Sequence, residues 1–116
     1  MNIMYCRHLL IKHTQSRNPS SWREKTITRT KEQAIIKLQQ IRKEIVENGQ
    51  DFIRLTMIES DCASAKYGGY LTGDINHFQK AFTDAYLKLK PHEISDIVET
   101  ESGVHIILRL EEGEQP

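Results

Sequence analysis

Ile3-Met4-Tyr5-Cys6-Arg7-His8-Leu9-Leu10-Ile11-Lys12-His13 reads as a β-strand at the start of the chain. Successive side chains of a strand point to opposite faces, so Cys6, His8, Leu10 and Lys12 share one face and Tyr5, Arg7, Leu9 and Ile11 the other. A hairpin closes the chain: Asp96 to Thr100 and Val104 to Leu110 around Glu101-Ser102-Gly103. Between these ends the pattern turns helical. Thr30-Lys31-Glu32-Gln33 has the form of a capping box, in which the threonine hydroxyl and the glutamine side chain satisfy orphan amides reciprocally. Ala34, Leu38, Ile41 and Ile45 then repeat at helical spacing, and Asn48-Gly49 supplies a left-handed stop. A short helix is predicted from Asp51 to Glu59, a helical turn within Ser60 to Lys66, a short strand at Tyr70-Leu71, and a helix from Gln79 to Leu89 stopped by Pro91. This order predicts an α+β fold: a small, mostly antiparallel four-stranded sheet covered by about four helices.

The 116 residues suit one domain over 1–116, with a core from about 3 to 110 and a frayed tail over 111–116. No apolar run is long enough for a membrane helix, and the N-terminus has no basic region followed by a long apolar stretch, so neither a membrane partner nor a secretory signal is expected. Two cysteines, Cys6 and Cys62, make a disulfide framework improbable and favour a reducing cytoplasm or nucleus. The zero net charge hides an asymmetry: residues 1–30 carry six bases and one acid, the rest ten bases and fifteen acids. An anionic partner for the first segment and a solvated basic loop are both compatible with that.

Several constellations bear on chemistry. His8 and His105 lie on the first and last strands; if those strands are neighbours, the imidazoles can hydrogen-bond and set each other's tautomers, although a strand histidine is also an ordinary core residue. Cys62, within Ser60-Asp61-Cys62-Ala63-Ser64-Ala65-Lys66, is a nucleophile only if a base lowers its pKa, and the adjacent Asp61 disfavours a thiolate. The histidines and cysteines offer no close ligand pairs of zinc type, so no metal and no cofactor are expected. Residues 14–29 form a long polar loop; Lys12 and Arg17 at its start can together grip one dianion. Nucleic acid is the rival ligand, disfavoured by the few aromatics here and the acidity of the remainder. Leu71, Phe78 and Phe82, with Gln79 among them, are core residues or the wall of a slot for a small apolar ring.

These strings together resemble the parvulin-type peptidyl-prolyl isomerases. The opening strand and the closing Ser102-Gly103-Val104-His105-Ile106-Ile107-Leu108 are similar to the family's first strand and final hairpin. Ser60 to Lys66 and Ser16-Arg17-Asn18-Pro19-Ser20-Ser21-Trp22-Arg23 resemble its phosphorylation-directed, Pin-type branch. The resemblance covers about residues 3–110, without a preceding tryptophan-pair WW module, and implies a monomeric, catalytic-domain-only rotamase. It implies His8, Cys62, Ser102 and His105 as catalytic residues in one hydrogen-bond network. Leu71, Phe78, Gln79 and Phe82 would form the proline pocket, and Lys12 and Arg17 would bind the substrate phosphate. Asn18 stands where a second arginine is common and implies a weaker phosphate site. Gly69-Tyr70-Leu71-Thr72-Gly73 is one residue short of the usual glycine-leucine-glycine-x-phenylalanine pattern, so the pocket mouth is expected to differ. The implied partners are proteins with phosphorylated Ser/Thr-Pro motifs. A phosphopeptide-binding module, a phosphate-independent folding helper and a cysteine hydrolase are the rival readings.

Overall fold

The computed structural model describes residues 2–116. Strand β1 (Ile3–Ile11) is followed by a long irregular segment, then helices α1 (Lys31–Val46) and α2 (Phe52–Glu59). A 3-10 turn (Ala63–Tyr67), strand β2 (Tyr70–Asp74), a second 3-10 turn (Ile75–His77) and helix α3 (Lys80–Leu87) come next, and β3 (Val98–Thr100) and β4 (Gly103–Arg109) close the fold. The sheet has the order β2-β1-β4-β3 with every pairing antiparallel. The first and last long strands are thus central neighbours.

Helix α1 begins where the capping box places it: Thr30 accepts from the Gln33 amide, and the Gln33 side chain accepts from the Thr30 amide. Its buried stripe Ala34, Leu38, Ile41 and Ile45 packs with Phe52 on Leu9, Ile11, Val104 and Ile106. On the opposite sheet face, Met4, Cys6 and Ile107 pack against Phe82 and Tyr86 of α3. β1 is covered on both faces, which is why it reads as nearly continuous apolar sequence. His8 and His105 fall on the α3 face.

Two glycines mark close approaches. A Cβ on Gly69 (φ +78) would sit 2.2 Å from the His8 carbonyl oxygen, and one on Gly103 (φ +146) 2.6 Å from that of Ile11 and 3.2 Å from the Lys12 Cα. Only a residue without a side chain lets these segments lie so close to β1.

Some expectations are corrected. Strand β2 runs on to Asp74, because the chain from Ile3 to Arg7 offers it an edge of matching length. The hairpin turn is two residues, Glu101 and Ser102, since Gly103 already pairs with Thr100. Helix α3 ends at Leu87, short of Leu89 and Pro91, with the Lys88 amide closing back on Ala85 and Tyr86. The helical turn expected within Ser60 to Lys66 is present as the 3-10 turn Ala63–Tyr67, and Ile75–His77 adds another that was not expected. Past Leu110 the tail is placed against the sheet: the Tyr70 hydroxyl donates to the Glu114 carbonyl at 2.7 Å, and the Glu114 carboxylate accepts from the Glu111 amide at 2.9 Å.

The segment between β1 and α1 is irregular but anchored. Ile27 and Ser16 within it are buried. Asp61, whose side chain is fully buried, accepts from the Lys12 amide at 2.9 Å, the Ser21 hydroxyl at 2.9 Å and Arg29 at 3.2 Å. Trp22 donates its indole N–H to the carbonyls of Ser60 and Cys62. The charge asymmetry therefore has a largely internal resolution. Arg29 pairs with Glu24 and Asp61, Arg23 with Glu59 and Arg17 with Glu101, while Arg7 donates to the carbonyls of Tyr67 and Gly68.

Candidate active site

The β1–β4 register sets His8 opposite Ile107 and His105 opposite Leu10. The two histidines are therefore diagonal neighbours on one face, within reach of each other's long side chains. Their Nδ1 atoms are 3.0 Å apart and both rings are buried. The outer nitrogens are also engaged: His8 Nε2 lies 3.3 Å from the Ser64 hydroxyl, and His105 Nε2 lies 2.7 Å from the Thr100 hydroxyl. A chain Ser64–His8–His105–Thr100 results. Between two neutral imidazoles one Nδ1 must donate and the other accept, so the direction of one bond sets both tautomers and which of the two hydroxyls donates and which accepts. Phe82 meets both rings edge-on, at 5.5 Å from His8 and 5.3 Å from His105.

Burial pushes the His8 imidazole down to about 4. Burial, and then the neighbouring His8, hold His105 well below the ordinary value of 6.5. Both rings are neutral at pH 7. Their unfolded counterparts titrate near 6.5, so below that pH the unfolded chain binds protons that the folded one refuses. Stability fully present above pH ~6.5 is lost as pH falls toward ~4, with about 3 kcal/mol from His8 alone. Urea midpoints measured from about pH 7 to about pH 4 should fall steadily through that window; a flat profile would contradict neutral burial of the pair.

The histidines end a cavity of about 150 Å³. Leu71, Phe78 and Phe82 supply its apolar wall, with Phe78 and Phe82 stacked at 5.9 Å, and Cys62, Gln79, Thr100 and Ser102 complete the lining. A cavity of this size holds one small ring. Larger depressions exist, one of about 460 Å³ beside Tyr86 and Arg109 and an open one of about 600 Å³ between Lys80 and Glu99. Neither contains a histidine or a cysteine.

The structure thus brings His8, Cys62, Leu71, Phe78, Gln79, Phe82, Ser102 and His105 to one cavity. It does not place all four polar residues in one network. Among the described residues the Cys62 thiol makes no hydrogen bond; only its backbone does, the amide donating to the Ser60 hydroxyl and the carbonyl accepting from Trp22 and the Ala65 amide. Ser102 joins indirectly: its amide donates to the Thr100 hydroxyl at 3.1 Å, and its own hydroxyl accepts from Gln79 at 3.0 Å. Gln79 also accepts from the Glu101 amide, so its side chain braces the hairpin. Ser64 and Thr100 take the positions expected of Cys62 and Ser102. Thr100 was legible in principle, because a two-residue turn puts it on the His105 face.

The backbone at Lys12 and Arg17 runs beside the hairpin that borders the cavity. Lys12 has its Cα against Gly103 and donates its ammonium to the Ser20 carbonyl at 2.6 Å. Arg17 donates its amide to the Glu101 carbonyl at 2.8 Å. Asn18 is exposed, and its carbonyl accepts from the Ser20 amide. No helix of the described residues is long and apolar enough to cross a membrane.

Comparison with known proteins agrees with this arrangement. The family model described as "Rotamase: PPIC-type PPIASE domain" matches residues 8–111. The chain is 50% identical over 111 residues to peptidyl-prolyl cis-trans isomerase ssp-1 of Neurospora crassa, covering 91% of this chain and 59% of that one. It is 44% identical over 107 residues to peptidyl-prolyl cis-trans isomerase Pin1 of Arabidopsis thaliana, covering 88% and 90%. The solved structure of peptidyl-prolyl isomerase ESS1 from Candida albicans superposes with a TM-score of 0.91 at 37% identity, over 94% of this chain and 63% of that one. The chain spans about three-fifths of the length of the first of these curated relatives. A four-stranded antiparallel sheet, a buried histidine pair against a one-ring cavity and a rotamase-domain match over residues 8–111 lead to one assignment: the chain belongs to the PpiC-type peptidyl-prolyl isomerase family, with the parvulin fold of its Pin1-type members.

Proposed function

We propose that this domain catalyses cis–trans isomerisation of X–Pro peptide bonds, preferring prolines preceded by phosphoserine or phosphothreonine in cytoplasmic or nuclear proteins. The observation that carries the reading is the one-ring apolar cavity ending on two neutral, mutually hydrogen-bonded histidines, with Lys12 and Arg17 beside its hairpin. Rotation about an X–Pro bond faces a barrier of about 18–20 kcal/mol, which is the resonance of the planar amide. A cavity that clamps the ring between Leu71, Phe78 and Phe82, while cations anchor the preceding phosphate, confines the motion to the bond between two fixed points. A neutral, dry surround disfavours the charge-separated planar amide and so favours the twisted one. Each ~1.4 kcal/mol of preference for the twisted form gives about tenfold in rate. Proline-isomer exchange measured by NMR on matched phosphorylated and unphosphorylated peptides tests both parts: exchange accelerated on both, and more on the phosphorylated one, is expected. Binding without accelerated exchange would make this a phosphopeptide-binding module, and equal acceleration a phosphate-independent folding helper.

The mechanism is non-covalent in this reading. All four imidazole nitrogens have partners other than Cys62, so neither ring is left as a base for its thiol. Cys62→Ser should therefore keep its turnover within roughly 100-fold of the parent, whereas removing a true nucleophile costs about 10⁶. Complete loss in a folded Cys62→Ser protein would restore the covalent reading.

A further inference from the structure

We propose that Glu101 is a built-in competitor for Arg17 that limits how tightly a phosphorylated substrate is held; this rests on the phosphate-directed reading above. The Glu101 carboxylate lies 3.2 Å from the Arg17 guanidinium. It is stationed there by the backbone, through the 2.8 Å bond from the Arg17 amide to the Glu101 carbonyl. From the other side, Gln79 accepts from the Glu101 amide at 3.0 Å and donates to the Ser102 hydroxyl at 3.0 Å. The carboxylate is thus tethered beside the cation through the backbone, a local competitor that need not be drawn from solution.

Lys12 differs in kind. Its ammonium rests on a neutral carbonyl, and an arriving dianion adds charge complementarity without first displacing a carboxylate. At Arg17 the phosphate must replace Glu101. Both side chains are mostly exposed, at 67% and 73%, so the pair is weak and reversible. Once displaced, Glu101 remains beside a dianion of its own sign. Both effects weaken the complex and speed its dissociation, which favours repeated turnover over capture.

The test is Glu101→Gln, which keeps both backbone contacts and removes only the charge. Exchange kinetics on matched phosphoserine-proline and serine-proline peptides, with KM and kcat separated, give the readout. At low salt, KM for the phosphorylated peptide should fall roughly two- to fivefold more than for the unphosphorylated one. The gain should shrink at high salt. It should vanish when Glu101→Gln is introduced into an Arg17→Ala protein, because there is then no guanidinium to release. An unchanged ratio, equal changes on both peptides, or a gain that survives in Arg17→Ala would overturn the competitor and leave the phosphate reading standing. A parent protein without phosphate preference would remove that reading and the competitor together.

Discussion

Asp61→Ala is expected to destabilise the domain by about 3 kcal/mol, seen as a lowered urea midpoint at unchanged m-value. The carboxylate is fully buried and serves three donors: the Lys12 amide, the Ser21 hydroxyl and the Arg29 guanidinium. Truncation leaves a mostly buried arginine short of a partner and an amide at the end of β1 without an acceptor. Each has a cost, since a buried donor deprived of its acceptor retains its full desolvation penalty. Arg29 keeps Glu24 and the Lys12 carbonyl, which places the loss at the lower end of the range for a broken buried pair. Asp61→Asn separates charge from geometry. Its carbonyl can still accept from Lys12 and Arg29, so it should lose clearly less. An Asp61→Ala protein as stable as its parent would mean that water replaces the carboxylate, and the anchored loop would then be no more than a surface feature.

That network explains which parts of the molecule were legible in the sequence. Strand β1, the capping box at Thr30 and the stripe Ala34, Leu38, Ile41 and Ile45 are local patterns; the structure contains the box and the stripe as read, and the strand from Ile3 to Ile11, two residues short of the expected His13. The cavity residues carried signals of type: two strand histidines and a cluster of aromatic and aliphatic side chains. What stayed hidden depends on partners distant in sequence. Asp61 meets the Lys12 amide across 49 residues, and Arg17 meets Glu101 across 84. No periodicity encodes such a pair, so a loop held by contacts distant in sequence reads as a loop free in solvent. The order of the hydrogen-bond chain was hidden for a related reason. Ser64 reaches His8 because the 3-10 turn Ala63–Tyr67 presents it, whereas the thiol of Cys62, just ahead of that turn, has no polar partner among the described residues.

Combined replacement of Lys12 and Arg17 by alanine should reduce the ratio of kcat/KM on phosphorylated to unphosphorylated proline peptides by roughly 10- to 100-fold. That corresponds to about 1.4–2.8 kcal/mol, the scale of one or two charge-assisted hydrogen bonds reduced by solvent exposure. The two positions should contribute unequally. The Lys12 ammonium is half-buried against a neutral carbonyl, so it meets a phosphate without surrendering an ion pair. Arg17 is exposed and already faces a carboxylate. Lys12→Ala alone should therefore account for most of the loss, and Arg17→Ala for a smaller part that depends more steeply on salt. Asn18 carries no charge and cannot take over from either. Lys12→Ala cuts the side chain but leaves the Lys12 amide on Asp61, so a loss confined to phosphorylated peptides separates the charge from the loop that carries it. If the double variant kept the full ratio, a phosphate would have to be held by other cations. The other first-segment arginines are engaged elsewhere: Arg7 with the Tyr67 and Gly68 carbonyls, and Arg23 and Arg29 with Glu59, Glu24 and Asp61. Phosphate preference in the double variant would therefore overturn the two-cation site itself.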